Sequence, residues 1–164
     1  MNLSLEGEKL LKSLEALSLQ PYDDQKGLQS APIKRWVKGA TIGYGHLISQ
    51  SEWNKYKNGI TKTEAEMIFK NDLAPFVKAV NEGLEVKLCQ HQFDALVILC
   101  FNIGIPNFNS SSVLKMVNGQ AGNYKSLEEA WKAFKLSQGK VSNGLINRRA
   151  AEWKIYTQGI YERW

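Results

Sequence analysis

Apolar positions fall at helical spacing along most of this chain. Leu10, Leu11, Leu14 and Leu17 form one stripe, with Lys9, Lys12, Ser13 and Glu15 off it, which predicts an amphipathic helix over 8–17 with Glu15 in its last turn. Pro21 stops helix propagation, and residues 22–27 read as turn chemistry. From 28 to 47 the Gly, Pro and β-branched content predicts strands, including Thr41 to His46, as the one β-like stretch. Thr61 and Glu64 form a capping box that opens a helix over 62–82, in which Ala65, Ile68, Phe69, Phe76, Val77 and Val80 repeat at helical spacing. Pro75 should kink that helix or divide it. Residues 90–103 are apolar on most sides, as a central buried helix is, and further helices are expected over 112–118, 127–136 and 146–156. The fold class is α+β and mostly α-helical. It should form one domain with a small N-terminal β lobe over about 15–60, a long connecting helix, and a helical lobe over about 75–164 against which the first helix packs. A cleft is expected between the lobes.

Composition agrees with a globular domain: 164 residues, 43% hydrophobic and 23% charged. Such a chain can bury a core without a metal or disulfide staple. Lys and Arg number 21 against 16 Asp and Glu, a net charge of +5, so a nucleic acid, an anionic membrane face or an acidic glycan is a reasonable partner. The basic residues are scattered, with no Lys/Arg run longer than two and no helix-turn-helix, zinc or RNP pattern, which argues against nucleic acid. Charges at Glu6, Glu8 and Lys9 leave no signal-peptide core, and no long apolar run suggests a membrane span. Cys89 and Cys100 stand eleven positions apart. On one helix they would be separated by ~16 Å, too far for a disulfide, so two free thiols and a reducing environment are expected.

Glu15 and Asp24 lie nine positions apart across a helix end and a turn, which can bring two carboxyls to opposite sides of one groove. Glycoside hydrolysis needs such a pair, one protonated to serve the leaving oxygen and one ionised to activate water or stabilise charge on the sugar. A carboxyl at a helix C-terminus beside apolar Leu14 should have a raised pKa, which suits Glu15 to the acid role. The same spacing also fits a solvated helix carboxylate followed by the turn formers Asp23 and Asp24. His46 is read as structural rather than as a base, because nothing at Ser or Cys spacing suggests a triad. His91, beside Cys89, lacks enough partners for a metal site and is read as a solvated helix end. Arg148, Arg149 and Lys154 are expected on the solvent side of the last helix, with Arg148 or Arg149 paired to a buried carboxylate.

Several segments, taken together, are less generic. Leu14-Glu15-Ala16, Tyr22-Asp23-Asp24, Gly27 and Thr41-Ile42-Gly43-Tyr44-Gly45-His46 closely resemble the N-terminal signature of the bacteriophage-type lysozymes, the endolysins of tailed phages. The similarity continues through Gln92 to Leu96, Phe101-Asn102-Ile103-Gly104, Phe108, Ser111 to Leu114, Asn118, and Gly144 to Glu152, in the family's order. It implies a lysozyme-like two-lobe fold and a muramidase that cleaves the β-1,4 bond between N-acetylmuramic acid and N-acetylglucosamine in peptidoglycan. Carried over, Glu15 matches the catalytic acid, Asp24 the second carboxylate and Thr41 the hydroxyl beside the attacked carbon, for displacement by water with inversion. Asp23 competes with Asp24, and the offsets to Glu15 and Gly27 favour Asp24. Phe101, Asn102 and Ser111 match glycan contacts, and Asp72 is the implied partner of His46.

Two departures stand out. Ala16 occupies a position where the family usually has Gly, tolerable unless the backbone there has positive φ. The stretch 28–40 exceeds the family's shortest versions and carries Lys34, Arg35, Trp36 and Lys38, either an elongated hairpin or a cationic aromatic finger for an anionic envelope polymer or lipid. No cofactor or metal is expected. The resemblance implies a monomer held in the host cytoplasm until a holin permeabilises the membrane, and then acting on periplasmic peptidoglycan. The rival functions are a lytic transglycosylase, which needs one acid/base Glu, and a non-catalytic wall-binding module.

Overall fold

A computed structural model describes residues 1–28 and 30–164; Gln29, within the stretch expected to form strands, lies outside the described residues. The chain divides into two compact units, Lys12–Ala74 on one side and Met1–Leu11 with Pro75–Trp164 on the other.

Within the unit Lys12–Ala74, helix α1 (Leu5–Leu14) ends and the chain enters a three-stranded antiparallel sheet of order β1-β2-β3: Ser18–Asp23, Ala40–Gly43 and His46–Leu47. The helix is shifted three residues toward the N-terminus from its expected span. Glu15 therefore follows the helix, its N–H donating to the Lys12 carbonyl at 3.2 Å. Strand β1 was not expected, since Pro21 and the two aspartates read as breakers. Pro21 is accommodated because the β1–β2 register slips between Ser18 and Tyr22, where a ladder N–H is not required. Conversely, residues 28 and 30–39 hold no strand. The core beneath the sheet is Ala40, Ile42, Ile48 and Tyr56, with Ile33, Trp36, Val37 and Trp53 packed against it. Trp36 is thus an anchor rather than the tip of a finger, and its Nε1 donates to the Ile48 carbonyl at 2.9 Å. Lys34, Arg35 and Lys38 remain exposed. A 3-10 turn (Gln50–Glu52) and the short helix α2 (Trp53–Tyr56) lead to α3 (Lys62–Gly83).

Helix α3 opens on the expected box, Thr61 N–H to Glu64 at 3.1 Å and Glu64 N–H to Thr61 Oγ1 at 3.1 Å. It runs through Pro75 as one helix. Pro75 and Asn71 are both exposed, so water can take the carbonyl that the missing N–H leaves free.

In the other unit, α4 (Gln90–Ile103) has the predicted bounds, and Phe93 to Cys100 are buried on every side. Around it lie α5 (Ile105–Asn109), α6 (Ser112–Val117), α7 (Leu127–Lys132) and α8 (Asn143–Gln158). Helix α7 stops short of its expected end because Leu136–Ser137 (β4) and Lys140–Val141 (β5) form a hairpin. Its turn has positive φ at both Gln138 and Gly139. Asp94, fully buried on α4, accepts from Ser4 N–H at 3.0 Å, from the Ser4 hydroxyl, from Gln90 Nε2 at 2.8 Å and from Tyr161 Oη at 2.6 Å, fixing both chain ends to the central helix. Among the described residues both cysteines are free, and burial pushes the Cys100 thiol up to about 12. No helix among them is long and apolar enough to cross a membrane.

Candidate active site

Antiparallel pairing of β1 with β2 sets Tyr22 opposite Thr41 and Asp23 opposite Ala40. Directly after β1 the chain turns. Asp23 Oδ1 accepts the Gln25 N–H at 3.0 Å, and the Asp23 carbonyl accepts the Lys26 N–H at 2.9 Å. Asp23 is buried, and a Cβ at Gly39 would approach its Oδ1 to 2.6 Å, so only glycine lets the second strand come this close. Its neighbour Asp24 is exposed. Of the two competing aspartates, one is committed to the turn and the other is presented to solvent.

Asp24 and Thr41 are pinned through one atom. The Gly39 carbonyl accepts both the Asp24 N–H at 2.9 Å and the Thr41 hydroxyl at 2.9 Å. With its proton given to Gly39, the buried Thr41 hydroxyl keeps its lone pairs for another donor.

Glu15 reaches the same sheet from the end of α1. Its Oε2 lies 3.2 Å from where a Cβ of Gly45 would stand, and Gly45 has φ +82°, so the Tyr44-Gly45 turn needs glycine for both conformation and space. Tyr44 is held by the Phe69 ring at 5.6 Å and by Lys12 Nζ at 5.8 Å from its centroid. Tyr22 links the two carboxylates. Its phenol is pushed above the ordinary tyrosine value by burial first, then by the negative charges of Asp24 and Glu15. Both carboxylates therefore act on one buried ring. Ala16 does not have positive φ, which removes the concern about its missing glycine.

His46 follows that turn on β3. Its Nδ1 lies 2.9 Å from Asp72, the expected partner, and its Nε2 lies 3.3 Å from Glu52, which sequence reasoning did not find. The Asp72 hydrogen bond raises the His46 pKa, burial opposes it, and the charges of Asp72 and Glu52 add to the rise. With both nitrogens so occupied, His46 ties β3 to α3 and the 3-10 turn.

The remaining candidates lie in the other unit. The Phe101 ring packs edge-on against Phe76 at 5.2 Å. Asn102 is exposed and its Oδ1 accepts from Arg149. Asn102 and Arg149 line a cavity of about 360 Å³ with Ile103, Asn107, Phe134 and Leu145. Ser111 departs from expectation. It is buried, donates to the Phe108 carbonyl at 2.7 Å and accepts the Leu114 N–H at 3.1 Å, so its hydroxyl is spent as the N-cap of α6. Arg149 is also a correction, since it is fully buried rather than on a solvent face. It pairs with fully buried Glu152, which takes the Arg148 Nε at 2.9 Å and the Trp131 indole N–H at 3.1 Å as well. Burial raises the Glu152 pKa while Arg149, Arg148 and Trp131 oppose the rise. His91 is not simply solvated: its Nδ1 meets the Ile155 carbonyl at 2.9 Å.

The sequence model of the family described as phage lysozyme matches residues 12–152, which include Glu15, Asp24 and Thr41. The chain belongs to the phage lysozyme family. Among phage lysozyme relatives, the endolysin of Bacillus phage PZA is 36% identical over 97% of this chain, which spans 56% of that protein's length. The endolysin of Salmonella phage P22 is 32% identical over 95% of this chain and 98% of its own. The solved endolysin of Escherichia coli O157:H7 phage FAHEc1 superposes with a TM-score of 0.75 at 34% identity, covering 99% of this chain and 98% of that one. The mostly helical α+β architecture is that of the phage lysozymes.

Proposed function

We propose that the protein is a glycoside hydrolase that cleaves the β-1,4 bond between N-acetylmuramic acid and N-acetylglucosamine in peptidoglycan. In this reading Glu15 protonates the glycosidic oxygen. Asp24 and Thr41 hold a water on the opposite face of the sugar, so that displacement proceeds with inversion. The observation that carries it is the sharing of the Gly39 carbonyl by Asp24 and Thr41 on the sheet whose turn at Gly45 packs against Glu15. A transglycosylase, which uses the substrate's own hydroxyl, has no need of a preset carboxylate and hydroxyl pair.

Phe101 and Asn102 serve as glycan contacts, the ring offering an apolar surface and the amide bonding N-acetyl groups. Exposed Lys34, Arg35 and Lys38 provide a cationic contact for anionic envelope polymers, independent of the aromatic Trp36. The protein acts as a monomer, accumulates in the host cytoplasm, and reaches the periplasmic wall once a holin opens the membrane.

The test is digestion of purified sacculi by wild type and Glu15→Gln. Wild type should release new reducing ends of muramic acid, and Glu15→Gln should lose activity by about 10²-fold or more while melting like wild type. Anhydro-muramic ends would assign a transglycosylase. Saturable binding with no product from wild type would assign a binding module.

A further inference from the structure

Outside the proposed active site, a nucleophile and a base lie together at the start of α4. Cys89 is the N-cap of this 14-residue helix and is exposed. Its Sγ lies 3.2 Å from His91 Nε2. The opposite ring nitrogen, Nδ1, lies 2.9 Å from the Ile155 carbonyl on α8, and a carbonyl only accepts, so Nδ1 carries the proton. In the neutral tautomer that this contact selects, Nε2 is the acceptor and faces the thiol. The ring is held in place, because Gly159, at φ +67°, packs where a Cβ would stand 3.2 Å from His91 Cδ2. The thiol also faces the Gln92 backbone N–H of the first turn. Tyr156 is the titratable group that faces Cys89 from α8.

This is the nucleophile, base and orienting acceptor of an activated thiol. We propose that Cys89 and His91 form a reactive dyad that undergoes thiol–disulfide exchange with low-molecular-weight disulfides, making Cys89 a site of S-thiolation. In the step, the Cys89 proton passes to His91 Nε2 and the thiolate attacks one sulfur of the disulfide. The old S–S bond breaks as the new one forms. The departing thiolate recovers the proton from Nε2, so Cys89 is oxidised to a mixed disulfide while the other half of the reagent is reduced to a thiol. Cys100, fully buried with its thiol raised by burial, is an internal control.

The experiment follows the folded full chain with an aromatic disulfide reagent and, separately, with oxidised glutathione, at neutral pH, locating the adduct by peptide mass mapping. Cys89 should react about tenfold faster than an unstructured peptide thiol, because an ordinary cysteine is only a few per cent thiolate at pH ~7. Cys100 should stay unmodified. His91→Gln and His91→Asn should both lower the Cys89 rate to the peptide value. Matching melting curves for at least one of them will separate loss of the base from loss of the fold. The proposal is overturned if Cys89 in wild type reacts no faster than the peptide thiol, or if a folded His91 variant keeps the wild-type rate.

Discussion

Asp24 and Thr41 are joined through a single oxygen: the Asp24 N–H and the Thr41 hydroxyl both donate to the Gly39 carbonyl, each at 2.9 Å. A one-residue change in the β1–β2 pairing would separate them, so their mutual placement is a property of strand register rather than of two independent side chains. Under the proposed mechanism, Thr41→Val keeps the buried shape and removes the water-holding hydroxyl. It should reduce the rate of wall digestion by roughly a hundredfold, while Thr41→Ser retains most of it, measured as initial rates of reducing-end release.

The two aspartates should separate by phenotype. Asp24→Asn is expected to lose activity with an unchanged melting temperature. Asp23→Ala removes the acceptor of the Gln25 N–H from a buried position and should cost about 1 kcal/mol in denaturant unfolding, with activity per folded molecule largely kept. The opposite pattern would move the second carboxylate role to Asp23.

His46 makes stability depend on pH. Its folded pKa is raised above the ordinary 6.5, first by the Asp72 hydrogen bond, so its contribution is complete below the unfolded value and lost as pH rises through the folded one. Glu52 has the opposite sign. Burial raises its pKa, but the Ser49 N–H and hydroxyl together with His46 lower it overall, so its contribution fades as the solution becomes more acid than the ordinary glutamate range. Melting temperature scanned from about pH 5 to about pH 9 should fall more in wild type than in His46→Gln, where the step belonging to the histidine is missing.

In the other unit, Glu152 is the balancing charge for two guanidiniums. Glu152→Ala leaves fully buried Arg149 without its partner and should cost about 3–5 kcal/mol, read from chemical denaturation. A loss below about 1 kcal/mol would show that the buried arginine is compensated from elsewhere.

Legibility in the sequence varied with the kind of signal. The bounds of α4 were readable because a helix apolar on every side is distinct from its flanks, and the start of α3 because Thr61 and Glu64 satisfy each other's backbone N–H groups. Strand β1 was hidden because Pro21 and Asp23 usually break structure, whereas here the register irregularity absorbs the proline and the aspartate closes the turn. The β4–β5 hairpin was hidden because its turn is Gln138-Gly139, not one of the common turn pairs. At the site, spacing suggested Glu15 and Asp24 as a pair but fitted a solvated helix end and turn as well; the family resemblance chose between the two and added Thr41. The groups that position them, Tyr22, Gly39 and Gly45, become apparent only once the strands are paired. Ser111 shows the converse: a hydroxyl in a recognisable motif is equally a helix cap, and only the partners of its oxygen separate the two uses.

The measurement that bears most directly on the proposed chemistry is the configuration of the reducing end first released from peptidoglycan fragments, followed by proton NMR before mutarotation. Inverting displacement by water held at Asp24 and Thr41 predicts the α-anomer as the initial product, and its absence from Glu15→Gln reactions. A β-anomer appearing first, or a 1,6-anhydro product, would contradict the account.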